Sequence, residues 1–174
     1  MEDGYLSNDL KQHCLNTKKF CEDICTQMGV RDSKRYLLNA AEIHDLGKYF
    51  IPKYIIEAPR PLQLTERFIV DMHSSCGYLK AKEIGYDELT CQIILLHHGL
   101  KKNKCLAKES LLQEALELYP ILMAADIYDA LRTDRPYRPP VDKLNALDIV
   151  ADKEEISQNI VNALSVIEGI EIVV

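Results

Sequence analysis

The sequence predicts an all-α protein, and three observations carry that prediction. Apolar residues recur at three- and four-residue spacing, glycines stand where helices would stop, and prolines gather in the intervals. Over about 9–28, Leu10, Cys14, Ile24 and Met28 are spaced for a helix, and Gly29 follows as a C′ stop. A second helix fits about 34–48, with Tyr36, Leu37, Ala40, Ala41 and Ile43 on its buried side. Pro52, Pro59 and Pro61 forbid a continuous helix over about 50–61, which reads as a loop. Short helices fit about 65–72, 74–84 (closed by Gly85) and 87–98 (closed by Gly99). The polar, basic stretch 101–108 reads as a loop or fraying turn. Helices resume over about 110–118 and 120–132, the latter with Pro120 at the favoured first position. Pro136, Pro139 and Pro140 break the chain again, and two helices fit about 141–151 and 157–168. Residues 170–174 read as a short strand or an extended closing segment.

A chain of 174 residues reads as one domain, long enough to bury about 70% of its unfolded surface. No apolar run approaches the roughly 20 residues of a membrane span, and the start lacks a basic-then-apolar signal region. The expectation is a cytoplasmic protein that engages no membrane. Its six cysteines form no Cys-x-x-Cys pair and read as reduced thiols, mostly core residues, with Cys21 and Cys25, one turn apart, leaving a minor metal reading. A net charge of −6 argues against a nucleic-acid polymer as partner. It does not argue against a phosphate substrate, because bound metal ions bring positive charge of their own.

All five histidines (His13, His44, His73, His97 and His98) fall where a metal cluster would need them. Asp9 lies four residues before His13, so both point from one helical face. His44 and Asp45 are adjacent, with Lys48 one turn on. Asp126 sits in the apolar run Leu122–Ile127, where a lone carboxylate is costly unless paired or metal-bound. Histidine and carboxylate suit iron, manganese and zinc, and eight such ligands suit two or three ions. Neighbours such as His44 and Asp45 diverge by about 100° on a helix and can serve different ions or bridge two. Taken singly, each residue has a plainer reading: a surface or capping pair, a satisfied core histidine, or Asp126 paired with Arg132.

The order His13, His44-Asp45, Asp126 resembles the HD superfamily of metal-dependent phosphohydrolases, and the extended set is similar to its HD-GYP branch. The matching segments are Ala41-Glu42-Ile43-His44-Asp45-Leu46-Gly47-Lys48, Ile51-Pro52, Pro59-Arg60-Pro61-Leu62, His73, His97-His98, and 126–138. The resemblance implies a compact helical HD-type domain spanning 1–174, with its core over about 9–138 and closing helices over about 141–168. It implies metal ligands at His13, His44, Asp45, His73, His97, His98 and Asp126, with Asp9 where three-metal members place a glutamate. Two or three divalent ions follow, iron or manganese first, with zinc or nickel compatible. Lys48 matches a lysine near the metal-bound phosphate, and Arg135 and Arg138 match the basic pair that contacts substrate phosphate. Arg135 also reads as a surface partner of Asp134. The departure is the loop after His98, where the branch carries Gly-Tyr-Pro and this chain has Cys105-Leu106-Ala107 among Lys101, Lys102, Lys104 and Lys108. That lysine run reads either as solvated or as facing phosphate.

The expected activity is hydrolysis of a small phosphate ester, foremost the phosphodiester of cyclic di-GMP, by a hydroxide bridging two metals held by Asp45. Asp45 and Lys48 are the candidate catalytic residues, and Lys48, Arg135 and Arg138 the candidate phosphate contacts. Cys14 reads as no nucleophile, since residues i and i+1 face different ways on a helix. A nucleotide or other phosphomonoester hydrolase, or a non-catalytic metal-bound signalling module, are the alternatives, and a homodimer is compatible with any of them.

Overall fold

The computed structural model describes residues 7–103, 105–134 and 139–170. All regular elements among them are helical: α1 (Asn8–Met28), α2 (Lys34–Ile43), α3 (Lys53–Ile56), α4 (Leu64–Asp71), α5 (His73–Glu83), α6 (Glu88–Leu96), α7 (Gln113–Arg132), α8 (Lys143–Ala151) and α9 (Gln158–Glu168). Tight 3-10 turns lie at Leu46–Phe50, Leu100–Lys102 and Lys108–Ser110. The starts follow local chemistry. The Ser7 hydroxyl accepts the Leu10 N–H at the head of α1, and the Asp142 carboxylate accepts the Asn145 N–H at the head of α8. The predicted stop glycines Gly29, Gly85 and Gly99 all have positive φ.

The structure departs from the predicted boundaries in four places. The α2 helix ends at Ile43 rather than near 48, and the chain tightens into the Leu46–Phe50 turn. The α6 helix ends at Leu96, leaving His97 and His98 in the turn before Gly99. The loop predicted over 50–61 contains the single turn α3, which Pro52 precedes. Residues 113–132 form one continuous helix through Pro120, not two helices split there. Proline forfeits one backbone hydrogen bond, but Leu118 to Asp126 are all buried, and burial on that scale outweighs the loss. At the C-terminus the Ile170 N–H closes α9 by bonding to the Ser165 carbonyl, and 171–174 lie outside the described residues.

The α6 helix is the axis of the core. Thr90 through Leu96 are all buried, and the helix packs on α2, α5 and α7. The α1 helix covers α2, α7 and α9, and α8 and α9 close over α7. One hydrophobic cluster runs through this assembly from Cys21 to Leu164. Cys21 and Cys25 belong to it as fully buried free thiols, as predicted for core cysteines. The α4 helix is the exception, with no buried residue, and Leu64 and Phe68 are 84% and 70% exposed. Polar bonds hold its head instead: a reciprocal Gln63–Glu66 capping box and a two-pronged Arg60–Glu66 ion pair at 2.8 and 2.7 Å.

One contact sets the distance between two parts of the site. The Leu46–Phe50 turn lies backbone to backbone on α5, so a Cβ on Gly47 would fall 1.8 Å from the His73 carbonyl oxygen and 2.6 Å from the Gly77 nitrogen. Only glycine fits, and the close approach brings Asp45 and Lys48 beside His73. We expect Gly47→Ala to cost about 3 kcal/mol, lowering the thermal midpoint by roughly 6–12 °C. Gly29→Ala meets nothing within 4 Å and should lose only about 1–2 kcal/mol from its left-handed backbone. Equal midpoints for the two variants, measured by calorimetry, would refute the close-contact argument.

Candidate metal centre

Three histidines of the site are oriented by the same device. Each donates its Nδ1–H to the carbonyl three residues back: His44 to Ala41 at 2.9 Å, His73 to Val70 at 2.6 Å and His97 to Ile94 at 2.6 Å. Those carbonyls belong to the last turns of α2, α4 and α6, where no fourth residue onward in the helix supplies an N–H. A carbonyl can only accept, so each ring must donate there, which leaves Nε2 as the ring atom turned inward.

The inward nitrogens converge in two groups. His73 Nε2 lies 3.1 Å from His97 Nε2 and 3.1 Å from His98 Nε2. His13, His44 and Asp126 form the second group, with Asp126 Oδ1 3.0 Å from His13 Nε2 and 3.7 Å from His44 Nε2. Within each group, one ligand atom per residue lies within 4.8 Å of the others. Asp45, 2% exposed, stands between them. Its Oδ1 is 3.3 Å from His73 Nε2, while its Oδ2 is 3.6 Å from His44 Nε2 and 4.0 Å from His13 Nε2. Lys48 Nζ reaches the same Oδ2 at 2.5 Å.

His97 and His98 do not diverge as neighbours on a helix would. Because α6 has ended, both rings turn to His73, with their centroids 4.0 Å apart. Asp126 pairs with His13 and His44, while Arg132 donates to the Val141 carbonyl, so the Asp126–Arg132 alternative falls away. Cys14 is buried and lies with His44 and Asp45, close to the ligands despite following His13. Burial and the Asp45 charge push its thiol up to about 12, so it stays protonated and is no nucleophile. Asp9 is exposed in the first turn of α1 and joins neither group. Arg135 and Arg138 lie outside the described residues.

One further carboxylate joins the cluster without a ligand signature of its own in the sequence. Asp129 Oδ2 accepts from His13 Nδ1 at 2.6 Å, and Asn16 Nδ2 donates to Asp129 Oδ1 at 3.0 Å. Asp129 is three residues beyond Asp126 in α7 and so shares its face. That spacing was the available signal.

These residues fit divalent metal. The lone pairs of His73 and His97 face each other at 3.1 Å, a repulsion that a cation between them relieves. The buried His44 Nε2 has no hydrogen-bond partner among the described residues. Burial lowers the pKa of His73, of His97 (far down) and of His98 (to about 4), and for His98 the nearby Lys102 charge pushes the same way. These three are neutral and ready to ligate at pH 7. His13 differs: burial lowers its pKa, but bonds to Asp126 and Asp129 outweigh this and raise it to about 9. Asp45 and Asp126 stay ionised, since the attraction of Lys48 for the first and of His13 for the second overcomes burial. An open cavity of about 510 Å³ leads to the cluster, lined by His13, Asp45, Lys48, Asp71, His73, His98 and Asp126 among others.

Two outcomes follow for metal titrations. Uptake by the His13 group must displace a proton below pH 9, so its affinity should fall about tenfold per unit as pH drops from 9 toward 6, while the three-histidine group stays nearly constant over that range. Manganese titrations at several pH values read both, and parallel behaviour of the two sites would contradict the assignment. Asp129→Asn should weaken the His13 site alone by roughly 10–100-fold. Unchanged affinity would make Asp129 a bystander.

Residues 10–131 match the HD domain family. The chain is 29% identical to the cyclic di-GMP phosphodiesterase response regulator RpfG of Xanthomonas campestris pv. campestris, over 66% of this chain and 31% of that one. It is 26% identical to 3'3'-cGAMP-specific phosphodiesterase 3 of Vibrio cholerae, over 78% of this chain and 30% of that one. The chain thus spans about a third of the length of these relatives. The HD domain of L. monocytogenes phosphodiesterase PgpH, solved in complex with cyclic-di-AMP, superposes with a TM-score of 0.63 at 19% identity, over 91% of this chain and 90% of that one. This likeness establishes the all-α HD fold. With the family match covering most of its length, the chain belongs to the HD domain family.

Proposed function

We propose that this chain is a metal-dependent phosphohydrolase that cleaves a phosphodiester bond of a cyclic dinucleotide, cyclic di-GMP foremost. The observation that carries the reading is Asp45, whose two oxygens face two separate ligand groups beside Lys48 at the floor of one cavity. In this reading His73, His97 and His98 would hold one ion, His13, His44 and Asp126 a second, and Asp45 would serve both. Iron or manganese suits a site of imidazoles and carboxylates, and zinc or nickel can occupy the same donors. The exposed Asp9 contributes to neither ion, so two are proposed rather than three.

When bound, the ions would lower the pKa of an attacking water and draw charge from the phosphoryl oxygens. The chain's own groups do the rest. Burial favours a neutral Lys48, but the Asp45 charge outweighs it and raises the pKa. The ammonium therefore stays charged and offers donors to a phosphate oxygen in the cavity. Asp129 and the three backbone carbonyls hold the ligating rings in place, so little reorganisation is left for the reaction step. Arg135 and Arg138 are proposed to grip substrate phosphate with paired N–H donors. The names of the relatives support a cyclic dinucleotide substrate. The altered segment 99–110, without Gly-Tyr-Pro, favours a second reading, hydrolysis of a nucleotide or other phosphomonoester by the same residues.

The test is cyclic di-GMP hydrolysis by protein purified anaerobically and reconstituted with iron(II) or manganese. Wild type should turn over, and Asp45→Ala should lose roughly a thousandfold or more while keeping its fold. Activity retained in that variant would sink the bridging role. Cleavage of phosphomonoesters alone would establish the second reading, and metal binding without hydrolysis of either would leave a binding module.

A further inference from the structure

The basic segment after His98 resolves into lysines with different surroundings. Lys101 pairs with Glu154 at 3.2 Å, both groups almost fully exposed. Lys102 instead pairs with Asp71 at 3.0 Å, and Asp71 lines the metal cavity with His73 and His98. Lys104 lies outside the described residues.

The backbone around Lys102 is well anchored. Its N–H bonds to the Gly99 carbonyl at 3.0 Å, and the Asn103 N–H to that of Leu100 at 3.1 Å. The Asn103 side chain then accepts from the N–H groups of Cys105 and Leu106, folding the segment on itself. The Lys102 ammonium therefore hangs on four flexible bonds from a fixed point four residues beyond a candidate ligand. Its partner Asp71 ends α4 and lines the cavity.

We infer that Lys102 and Asp71 form an exchangeable latch at the mouth of the metal cavity, and that an incoming phosphate takes Lys102 from Asp71. Both side chains are about half exposed (47% and 50%), where an ion pair between carboxylate and ammonium is weak. A phosphate entering the cavity brings negative charge toward Asp71 and repels it, while it attracts Lys102. Asp71 thus competes with an incoming anion for Lys102 and disfavours its binding. This makes Lys102 a specificity-determining group for ligands with a phosphate beyond the one at the metals, as a cyclic dinucleotide has. The inference rests on the phosphohydrolase reading for its natural ligand, but not for its test.

The latch predicts opposite effects from the two ends of one ion pair, which a purely structural tie does not. Binding of cyclic di-GMP and of inorganic pyrophosphate to manganese-loaded protein is measured by calorimetry for wild type, Lys102→Gln, Lys102→Arg and Asp71→Asn, with metal content matched. Lys102→Gln should weaken both probes about fivefold, Asp71→Asn should tighten both by about threefold, and Lys102→Arg should stay near wild type. Shifts in the same direction for Lys102→Gln and Asp71→Asn, or no shift in either, would overturn the latch. If cyclic di-GMP neither binds nor turns over in wild type, the cyclic-dinucleotide function fails, and the pyrophosphate series alone decides the latch.

Discussion

Each of three buried imidazoles gives its one N–H to a backbone carbonyl, and most of the site's architecture follows from that choice. The carbonyl must be free of an onward helical partner, so a helix has to end within the preceding turn. The ends of α2, α4 and α6 meet this need at Ala41, Val70 and Ile94. With the donor committed, the other ring nitrogen is an acceptor pointed at more acceptors. Lone pairs of this kind, buried and 3.1 Å apart, are stable only around a cation. The fold thus holds a local electrostatic conflict that apolar burial along α6 and α7 keeps in place.

Much of this was legible in the residues, and the illegible part has physical reasons. The helical class, the stop glycines and the core cysteines follow from periodicity and backbone preference, which are local properties. The convergence of the histidines is legible because all five fall in the one constellation. Helix ends were read too long at His44 and His98, since the apolar pattern runs on while the imidazoles need the helix to stop. Pro120 was read as a boundary because its intrinsic cost is local, whereas the burial that offsets it comes from α1, α6, α8 and α9. Asp129 went unassigned because an orienting carboxylate is defined by the ring it touches, 116 residues away in sequence.

Gly47 shows how a residue with no side chain can take part in a chemical site. The His44–Lys48 segment and the His73 helix come from separate stretches of chain, and their spacing must hold to fractions of an ångström for Asp45 to face both ligand groups. Backbone-to-backbone contact at Gly47 and Gly77 supplies a rigid stop that no pair of side-chain rotamers could match. The HD segment thus carries its own positioning element two residues beyond Asp45.

The α4 helix is built on different terms from the rest. It buries none of its residues, so its opening free energy comes from a capping box, the Arg60–Glu66 fork and its own backbone bonds. Such a unit belongs to the low end of the local stability range, where segments open many times before the whole protein does. Yet its last turn supplies the Val70 carbonyl that orients His73. A local opening would withdraw that carbonyl from His73 while His97 and His98 stay held by α6 and its turn. An ion held among these three histidines would then leave at a rate tied to the opening of a surface helix, apart from the stability of the core beneath it.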